Sequence, residues 1–141
     1  MTVGRVFLYV EDHDPTAYLF ERAFARVKDG PRLVRVKDGK QALAFLLREG
    51  EYRDSPVPRL LILDIHTPGT SGFDVLAAMQ RDETLQSIPV VILSSSISPA
   101  DRERGSRLGV RKILVKPGEW AGIVEIANEL CGMAFSQDSA G

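Results

Sequence analysis

The sequence lacks several features that large classes of protein require. It has one cysteine, Cys131, so no disulfide can form within the chain, which is typical of a reducing compartment. No apolar run approaches the roughly 20 residues that a transmembrane helix needs. The short apolar run near Met1 has no small-residue cleavage site and acids follow it directly, so we expect no signal peptide. We therefore expect a cytoplasmic protein without membrane contact.

A strong excess of one charge is also absent. The chain carries 18 basic and 19 acidic residues and has a formal net charge of −1, so no global field attracts nucleic acid or acidic lipid. Basic residues do cluster between Arg102 and Lys112, but Glu103 interrupts them and no set of stacking aromatics accompanies them. We interpret this cluster as a solvated helix face and expect no direct contact with nucleic acid.

What the sequence does contain is enough apolar material for one domain. It has 141 residues, of which 44% are hydrophobic. We expect a single domain over residues 1–141, with its core at about residues 4–132 and a flexible tail over residues 134–141.

Strand-like and helix-like segments alternate five times along the chain. The strand-like segments are Val6–Val10, Arg32–Lys37, Leu60–Leu63, Val90–Leu93 and Lys112–Val115. After the first of these, Asp14 and Pro15 indicate a helix start, with Asp14 as the N-cap, and Asp29-Gly30-Pro31 indicates its end. Such alternation predicts a parallel sheet with helices on both faces.

The order of the strands follows from their polarity. Three segments (the first, third and fourth) are continuously apolar, which is typical of strands buried on both faces. Arg32–Lys37 alternates and is therefore expected near an edge. This predicts a doubly wound, flavodoxin-like α/β fold with the strand order 2-1-3-4-5.

Polar residues follow four of the five predicted strands. Glu11 and Asp12 follow the first, Asp64 the third, Ser94 the fourth and Lys116 the fifth. All strands of a parallel sheet end at one edge, where ligands bind, so these side chains can converge. An acid at the end of a buried strand costs several kcal/mol (order of magnitude) unless it is paired, so Asp64 is either a structural cap or the centre of a site. The polar residues at the other strand ends favour a site.

The chemistry of this set favours phosphoryl transfer. Three carboxylates repel one another, and a divalent cation together with Lys116 can offset the repulsion; oxygen ligands suit Mg²⁺. Asp64 can then attack phosphorus as a nucleophile, while Lys116 and the Ser94 hydroxyl stabilise the phosphoryl group. Ser94 opens a run of three serines, so Ser95 is an alternative, although the apolar run ending at Leu93 favours Ser94.

With these residues in place, the chain resembles a response regulator receiver domain of two-component signalling. The resemblance extends from Val6 to Leu130. It is carried by Glu11-Asp12, Asp64 followed by Pro68 and Gly72, Ser94, and Lys116-Pro117.

The resemblance implies a role for each residue of the set. Asp64 is expected to accept a phosphoryl group from a sensor histidine kinase, with Ser94 reorienting toward that group. Mg²⁺ is expected to be held by Asp12, Asp64 and the backbone carbonyl of His66, with Glu11 acting largely through water. The Lys116–Pro117 bond is expected to be cis. Apart from catalysing its own phosphorylation and dephosphorylation, the protein is expected not to be an enzyme.

The resemblance also implies partners. The extended loop Arg48–Arg59 and the lack of an output domain are similar to the small regulators paired with bacterial phytochromes, so the kinase is expected to be of that kind. The downstream partner is expected to be another protein, a phosphotransfer protein or a second copy of the chain. Ile113 replaces the aromatic residue that many receivers carry three positions before the lysine, and Gly118 replaces a common aromatic after Pro117, so output by loop movement or dimerisation is the hypothesis here.

Two other functions are compatible with parts of the pattern. Asp64-Ile65-His66-Thr67 is similar to the start of aspartyl-phosphate hydrolases, but His66 stands where their second acid would act. A non-switching docking module that binds FMN on the same fold is the third option, although acids rather than a phosphate-binding loop follow Val10.

Overall fold

The computed structural model describes residues 5–136, in which strands and helices alternate as the sequence predicts. The strands are β1 (Val6–Val10), β2 (Arg32–Val36), β3 (Leu60–Leu63), β4 (Val90–Ser94) and β5 (Lys112–Val115). The helices are α1 (Asp14–Ala25), α2 (Gly39–Leu46), α3 (Gly72–Gln80), α4 (Pro99–Arg107) and α5 (Trp120–Phe135). A short 3-10 turn, Gly50–Tyr52, lies in the loop between α2 and β3.

The strands form one parallel sheet in the predicted order β2-β1-β3-β4-β5. Every residue of β1, β3 and β4 is buried, whereas the outer strands β2 and β5 are partly exposed, because each outer strand has a neighbour on one side only. Val10 pairs with both Val36 and Leu63, so three strands end level with one another. The carboxyl ends of the strands therefore form a common edge.

The sheet divides the core into two layers. Helices α1 and α5 cover one face, where the large buried side chains include Phe7, Tyr9, Phe20, Phe24 and Leu130. Helices α2 and α3 cover the other face, where Leu8, Val10, Phe45, Phe73 and Leu76 are buried.

Helix α4 is the most polar helix and contributes one buried residue, Gly105. A Cβ atom on Gly105 would lie 3.0 Å from Ile92 Cδ1 and 3.2 Å from Ile113 Cδ1, so the glycine allows the helix to approach the sheet closely. Arg102, Arg104 and Arg107 are exposed, which agrees with the predicted solvated face of the basic cluster.

Helix α1 begins one position earlier than predicted. His13, not Asp14, is the N-cap, and its Nδ1 atom accepts a hydrogen bond from Thr16 N at 3.3 Å. Asp14 is instead the first helical residue, where its negative charge interacts favourably with the helix dipole. Its carboxylate is directed to Arg35 of β2, which explains why it does not cap the helix. The helix also ends at Ala25, before the predicted stop at Asp29-Gly30-Pro31.

The carboxyl-terminal helix is longer than predicted. Ala134 and Phe135 belong to α5, so the expected flexible tail does not begin at residue 134. The reason is packing, because the Phe135 ring stacks on Phe7 with a centroid distance of 5.3 Å. The rest of the expected tail, residues 137–141, lies outside the described residues. Within residues 5–136, no helix combines the length and the apolar character that crossing a bilayer requires.

Candidate functional site

Asp64 occupies the centre of the common strand edge. It directly follows β3, and its backbone N–H donates to Val10 O of β1 at 3.3 Å, which places it beside Glu11. Its side chain is almost completely buried, with 5% of the residue exposed. A carboxylate at this depth requires partners, because burial of an unpaired charge is strongly unfavourable.

Three donors provide those partners. Oδ1 of Asp64 accepts from the backbone N–H of His66 at 2.8 Å and from Ser94 Oγ at 3.0 Å. Oδ2 accepts from Lys116 Nζ at 2.7 Å. The donors come from three different segments of the chain, so the carboxylate is fixed in one orientation.

Lys116 links two of the acids. Its backbone N–H donates to Ser94 O at 2.9 Å, which extends the pairing of β5 with β4 to the edge. Its ammonium forms ion pairs with Asp64 and with Oε1 of Glu11. Burial by itself would lower the pKa of Lys116, but the hydrogen bonds and negative charges of Asp64 and Glu11 outweigh burial and raise that pKa. The ammonium is therefore charged at neutral pH.

Asp12 differs from Glu11 and Asp64 in its exposure and in its contacts. Glu11 is fully buried, and its Oε2 accepts from the backbone N–H of His13 at 3.0 Å. Asp12 is exposed, and no hydrogen bond or ion pair of its side chain is found within residues 5–136. Glu11, Asp12 and Asp64 each offer a carboxylate oxygen, and these three atoms lie within 4.8 Å of one another.

The charge of this acidic cluster, Glu11, Asp12 and Asp64, exceeds what Lys116 balances. Three ionised carboxylates and one ammonium sum to −3 + 1 = −2. A divalent cation would neutralise this excess, and carboxylate oxygens are the donors that hard cations such as Mg²⁺ prefer. The exposed side chain of Asp12 leaves one side of the cluster open to solvent. The residues therefore fit a divalent cation that keeps water ligands.

The structure distinguishes Ser94 from its neighbour. Ser94 is fully buried and its hydroxyl contacts Asp64, whereas Ser95 is exposed. Ser94, which the apolar run ending at Leu93 favoured over Ser95, is thus the serine whose hydroxyl reaches Asp64.

His66 contributes to the site through its backbone. Its N–H contacts Asp64, and its imidazole Nε2 lies 2.9 Å from the carbonyl oxygen of Ser96. A carbonyl can only accept a hydrogen bond, so Nε2 carries the hydrogen. The imidazole thus faces the β4–α4 loop and does not supply the second acid that the hydrolase interpretation needs.

One expectation about this edge is wrong. The Lys116–Pro117 peptide bond is trans, as are all peptide bonds among the described residues. Trans is the intrinsically favoured isomer of an X–Pro bond, by about 0.5–1 kcal/mol.

Sequence reasoning missed two residues next to the acids. Arg35 of β2 donates to Glu11 O and to Asp14. A signal in the sequence was available, because Arg35 shares a face of the strand with Leu33, where an apolar residue is expected. Tyr9 of β1 is buried, and its hydroxyl has no hydrogen-bond partner among residues 5–136. Burial, followed by the charges of Glu11 and Asp64, strongly raises the pKa of Tyr9. No local pattern marks this hydroxyl, because Tyr9 lies within an apolar strand.

Known proteins share this architecture. The model of the response regulator receiver domain matches residues 7–128. The chain is 40% identical over 113 residues to the probable methanogenesis regulatory protein FilR2 of Methanothrix harundinacea, a match that spans 79% of this chain and 72% of that protein. It is 35% identical over 112 residues to response regulator Rcp1 of Synechocystis, spanning 79% of this chain and 76% of Rcp1.

Solved structures agree with the sequence comparisons. The phosphorylated cyanobacterial phytochrome response regulator RcpA superimposes with a TM-score of 0.88 at 32% identity, covering 96% of both chains. The Mn²⁺-bound form of Rcp1 superimposes with a TM-score of 0.83 at 31% identity, covering 90% of this chain and 91% of that one. Taken with the acidic cluster at the strand edge, these matches show that the chain belongs to the response regulator receiver domain family of two-component signalling.

Proposed function

We propose that Asp64 is the phosphoacceptor of this receiver domain and that its phosphorylation depends on Mg²⁺. The observation that carries the proposal is the set of contacts around Asp64, a buried carboxylate that meets Lys116, Ser94 and a backbone N–H while lying against two further acids. Asp12 and Asp64 would hold the cation, together with the backbone carbonyl of His66, and Glu11 would act largely through water. When bound, the cation neutralises the acids and the incoming phosphoryl charge.

Each side chain of the site has a defined part in the transfer. An oxygen of Asp64 attacks phosphorus, and the phosphorus–nitrogen bond of the donor phosphohistidine breaks as the new oxygen–phosphorus bond forms. The donor nitrogen keeps the electron pair of the broken bond, which leaves a neutral imidazole when its other nitrogen is protonated. Lys116 exchanges its contact with Asp64 for one with a phosphoryl oxygen, and the Ser94 hydroxyl donates to another.

The chemistry can be tested without knowing the kinase. The purified protein is incubated with acetyl phosphate and MgCl₂, and its intact mass is measured. The wild type is expected to gain one phosphoryl group, the Asp64→Asn variant none, and the control Asp54→Asn, an exposed loop acid, the same as wild type. No adduct on wild type, or an adduct that persists in Asp64→Asn, would exclude the proposal.

The natural donor is proposed to be a sensor histidine kinase of the bacteriophytochrome type. Support comes from the similarity to RcpA, a cyanobacterial phytochrome response regulator. An exposed aromatic patch adjoins the common strand edge. It consists of Tyr18, which is 58% exposed, and Trp120, which is 36% exposed, with the guanidinium of Arg22 5.8 Å from both rings. Exposed aromatic and arginine side chains are typical of interaction sites, and both residues lie near the starts of helices that begin at this edge.

A comparison of two donors tests this patch. Tyr18→Ser and Trp120→Ser are expected to slow phosphoryl transfer from a phosphorylated bacteriophytochrome kinase and to leave phosphorylation by acetyl phosphate unchanged, because a small donor needs no docking surface. The control Leu47→Ser, on an apolar residue that is 45% exposed after α2, should change neither rate. Equal slowing with both donors, or no effect with the kinase, would contradict this docking surface.

The output of the switch is proposed to be a change in protein interaction inside the cytoplasm. The partner is a downstream protein, a phosphotransfer protein or a second copy of the chain. Light scattering with and without a beryllofluoride mimic of the phosphoryl group distinguishes the last case, since only self-association raises the molar mass of the purified protein.

A further inference from the structure

The loop that carries Glu11 and Asp12 is held by a residue of the neighbouring edge strand. Arg35 lies on β2, opposite Tyr9 of β1. Its Nε atom donates to the backbone carbonyl of Glu11 at 2.8 Å, and one of its terminal nitrogens donates to Asp14 Oδ1 at 2.8 Å. One guanidinium therefore binds both the first residue of the β1–α1 loop and the first residue of α1.

The two ends of the Arg35–Asp14 pair differ in burial, because the Asp14 side chain is 68% exposed. The Arg35 side chain is 17% exposed, so much of the guanidinium is shielded from water. The hydrogen bond from Arg35, followed by the charges of Lys37 and Arg35, lowers the pKa of Asp14, so the carboxylate stays ionised at neutral pH. The rigid fork of an arginine suits two acceptors at fixed positions, which a lysine cannot match.

Asp12 depends on this arrangement more than the other acids do. Asp64 is fixed by three donors and Glu11 by Lys116 and His13, whereas no side-chain partner of Asp12 is found in the described part of the chain. The position of the Asp12 carboxylate within the acidic cluster therefore follows from the backbone on either side of it. In addition to the backbone hydrogen bond from Glu11 N–H to Val36 O, the Arg35 side chain ties both ends of that backbone to the sheet.

We propose that Arg35 is a positioning residue for the divalent cation site, which it preorganises by clamping the β1–α1 loop between Glu11 and Asp14. This inference rests on the proposed Mg²⁺-dependent function. For the loss of Arg35, the clamp predicts a change in cation affinity opposite to the change that simple electrostatics predicts. Removal of a positive charge near an acidic cluster should by itself strengthen cation binding, whereas loss of the clamp should weaken it.

The test compares Arg35→Met and Arg35→Lys with wild type and with the charge control Lys37→Met. Lys37 also lies near Asp14, with Nζ 3.7 Å from Oδ1, and its side chain is 61% exposed. Mg²⁺ affinity is measured by calorimetry and Mn²⁺ affinity by the electron paramagnetic resonance signal of the free ion. Both Arg35 variants are expected to bind about tenfold more weakly, as is typical when an outer-shell partner is lost. Lys37→Met is expected to bind as wild type or slightly more tightly.

A kinetic readout separates positioning from general damage to the fold. In Arg35→Met the Mg²⁺ concentration for half-maximal phosphorylation by acetyl phosphate should rise about tenfold, while the rate at saturating Mg²⁺ stays that of wild type. Unchanged or tighter cation binding in Arg35→Met, or full recovery in Arg35→Lys, would overturn the clamp. If Arg35→Met does not fold, Arg35→Lys, which keeps the positive charge but loses the fork, must by itself show the weaker cation binding. A wild type that binds neither ion would instead refute the proposed function itself.

Discussion

Lys116 and Asp64 lie 52 residues apart in the sequence, yet Nζ of the lysine is 2.7 Å from Oδ2 of the aspartate. The same ammonium also pairs with Glu11, so a single cation is shared by two buried acids. This shared contact couples the stability of the domain to the charge state of the site.

Replacement of Lys116 by Met should therefore destabilise the protein. Without metal, the free energy of unfolding should fall by about 3 kcal/mol, because two buried acids lose their partner. Urea denaturation measures the change. The control Lys112→Met, whose pair with Glu129 is partly exposed (37% and 43%), should cost less than about 1 kcal/mol. Equal costs for the two variants would contradict a special role for the buried pair.

The stability difference between wild type and Lys116→Met should depend on pH with a definite sign. The pKa of Lys116 is raised in the folded protein. A raised pKa means that the stabilisation is complete below the unfolded value of about 10.4 and is lost as pH rises through the folded pKa. The stability difference between wild type and Lys116→Met should thus be constant from pH 7 to pH 9 and shrink above about pH 10.4. Shrinkage as pH falls from 9 to 7 would have the wrong sign.

Asp12→Asn should stabilise the metal-free protein. It lowers the repulsion within the acidic cluster without removing a hydrogen bond, and the gain should be about 1 kcal/mol. The same change should abolish the rise in melting temperature that MgCl₂ causes in wild type, since only a bound cation stabilises the folded state by mass action. Thermal melts with MgCl₂ and with EDTA measure both effects. A variant that is destabilised without metal, or that keeps the full response to Mg²⁺, would contradict this account.

Tyr9→Phe should also be stabilising. The hydroxyl of Tyr9 is buried and has no partner among residues 5–136, and such a group costs about 1–3 kcal/mol. We expect a gain of about 1 kcal/mol in urea denaturation. The exposed Tyr18 serves as the control, because Tyr18→Phe should change stability by less than about 0.5 kcal/mol. A loss of stability in Tyr9→Phe would indicate that a buried water satisfies the hydroxyl.

Gly72→Ala should damage both stability and phosphorylation. A Cβ at Gly72 would lie 2.7 Å from Asp64 O and 2.9 Å from Ile65 Cα, so the backbone that carries Asp64 must shift. Overpacking of this kind costs about 1–3 kcal/mol.

Gly132→Ala is the matched control for that glycine. Gly132 lies in α5, and apart from its chain neighbours and the backbone of its own helix no atom of the described residues lies within 4 Å of its Cβ position, so alanine should be neutral or should stabilise by up to about 1 kcal/mol. Denaturation and the rate of phosphorylation by acetyl phosphate are measured for both variants. A Gly72→Ala protein as stable and as reactive as wild type would show that the backbone of Asp64 and Ile65 can shift without cost.

The strands match their predicted limits closely. The bounds of β1, β3 and β5 coincide with those predicted, and β4 extends one residue beyond its predicted end, to Ser94. Short apolar runs with polar or turn-forming residues after them leave little choice of limits. The ends of helices were predicted less well. His13 replaced Asp14 as the cap because Arg35, a residue distant in sequence, competes for the aspartate.

By itself, the sequence determined the alternation of strands and helices, the order of the sheet and the set of polar residues at the strand ends. Periodicity and polarity are local properties, and the parallel connection rules then bring the strand ends to one edge. Only the tertiary structure decided which serine reaches Asp64, that Lys116 is shared with Glu11, and that Arg35 holds the loop of Asp12. Such contacts depend on where side chains of different strands meet, and no local pattern specifies a distance between them.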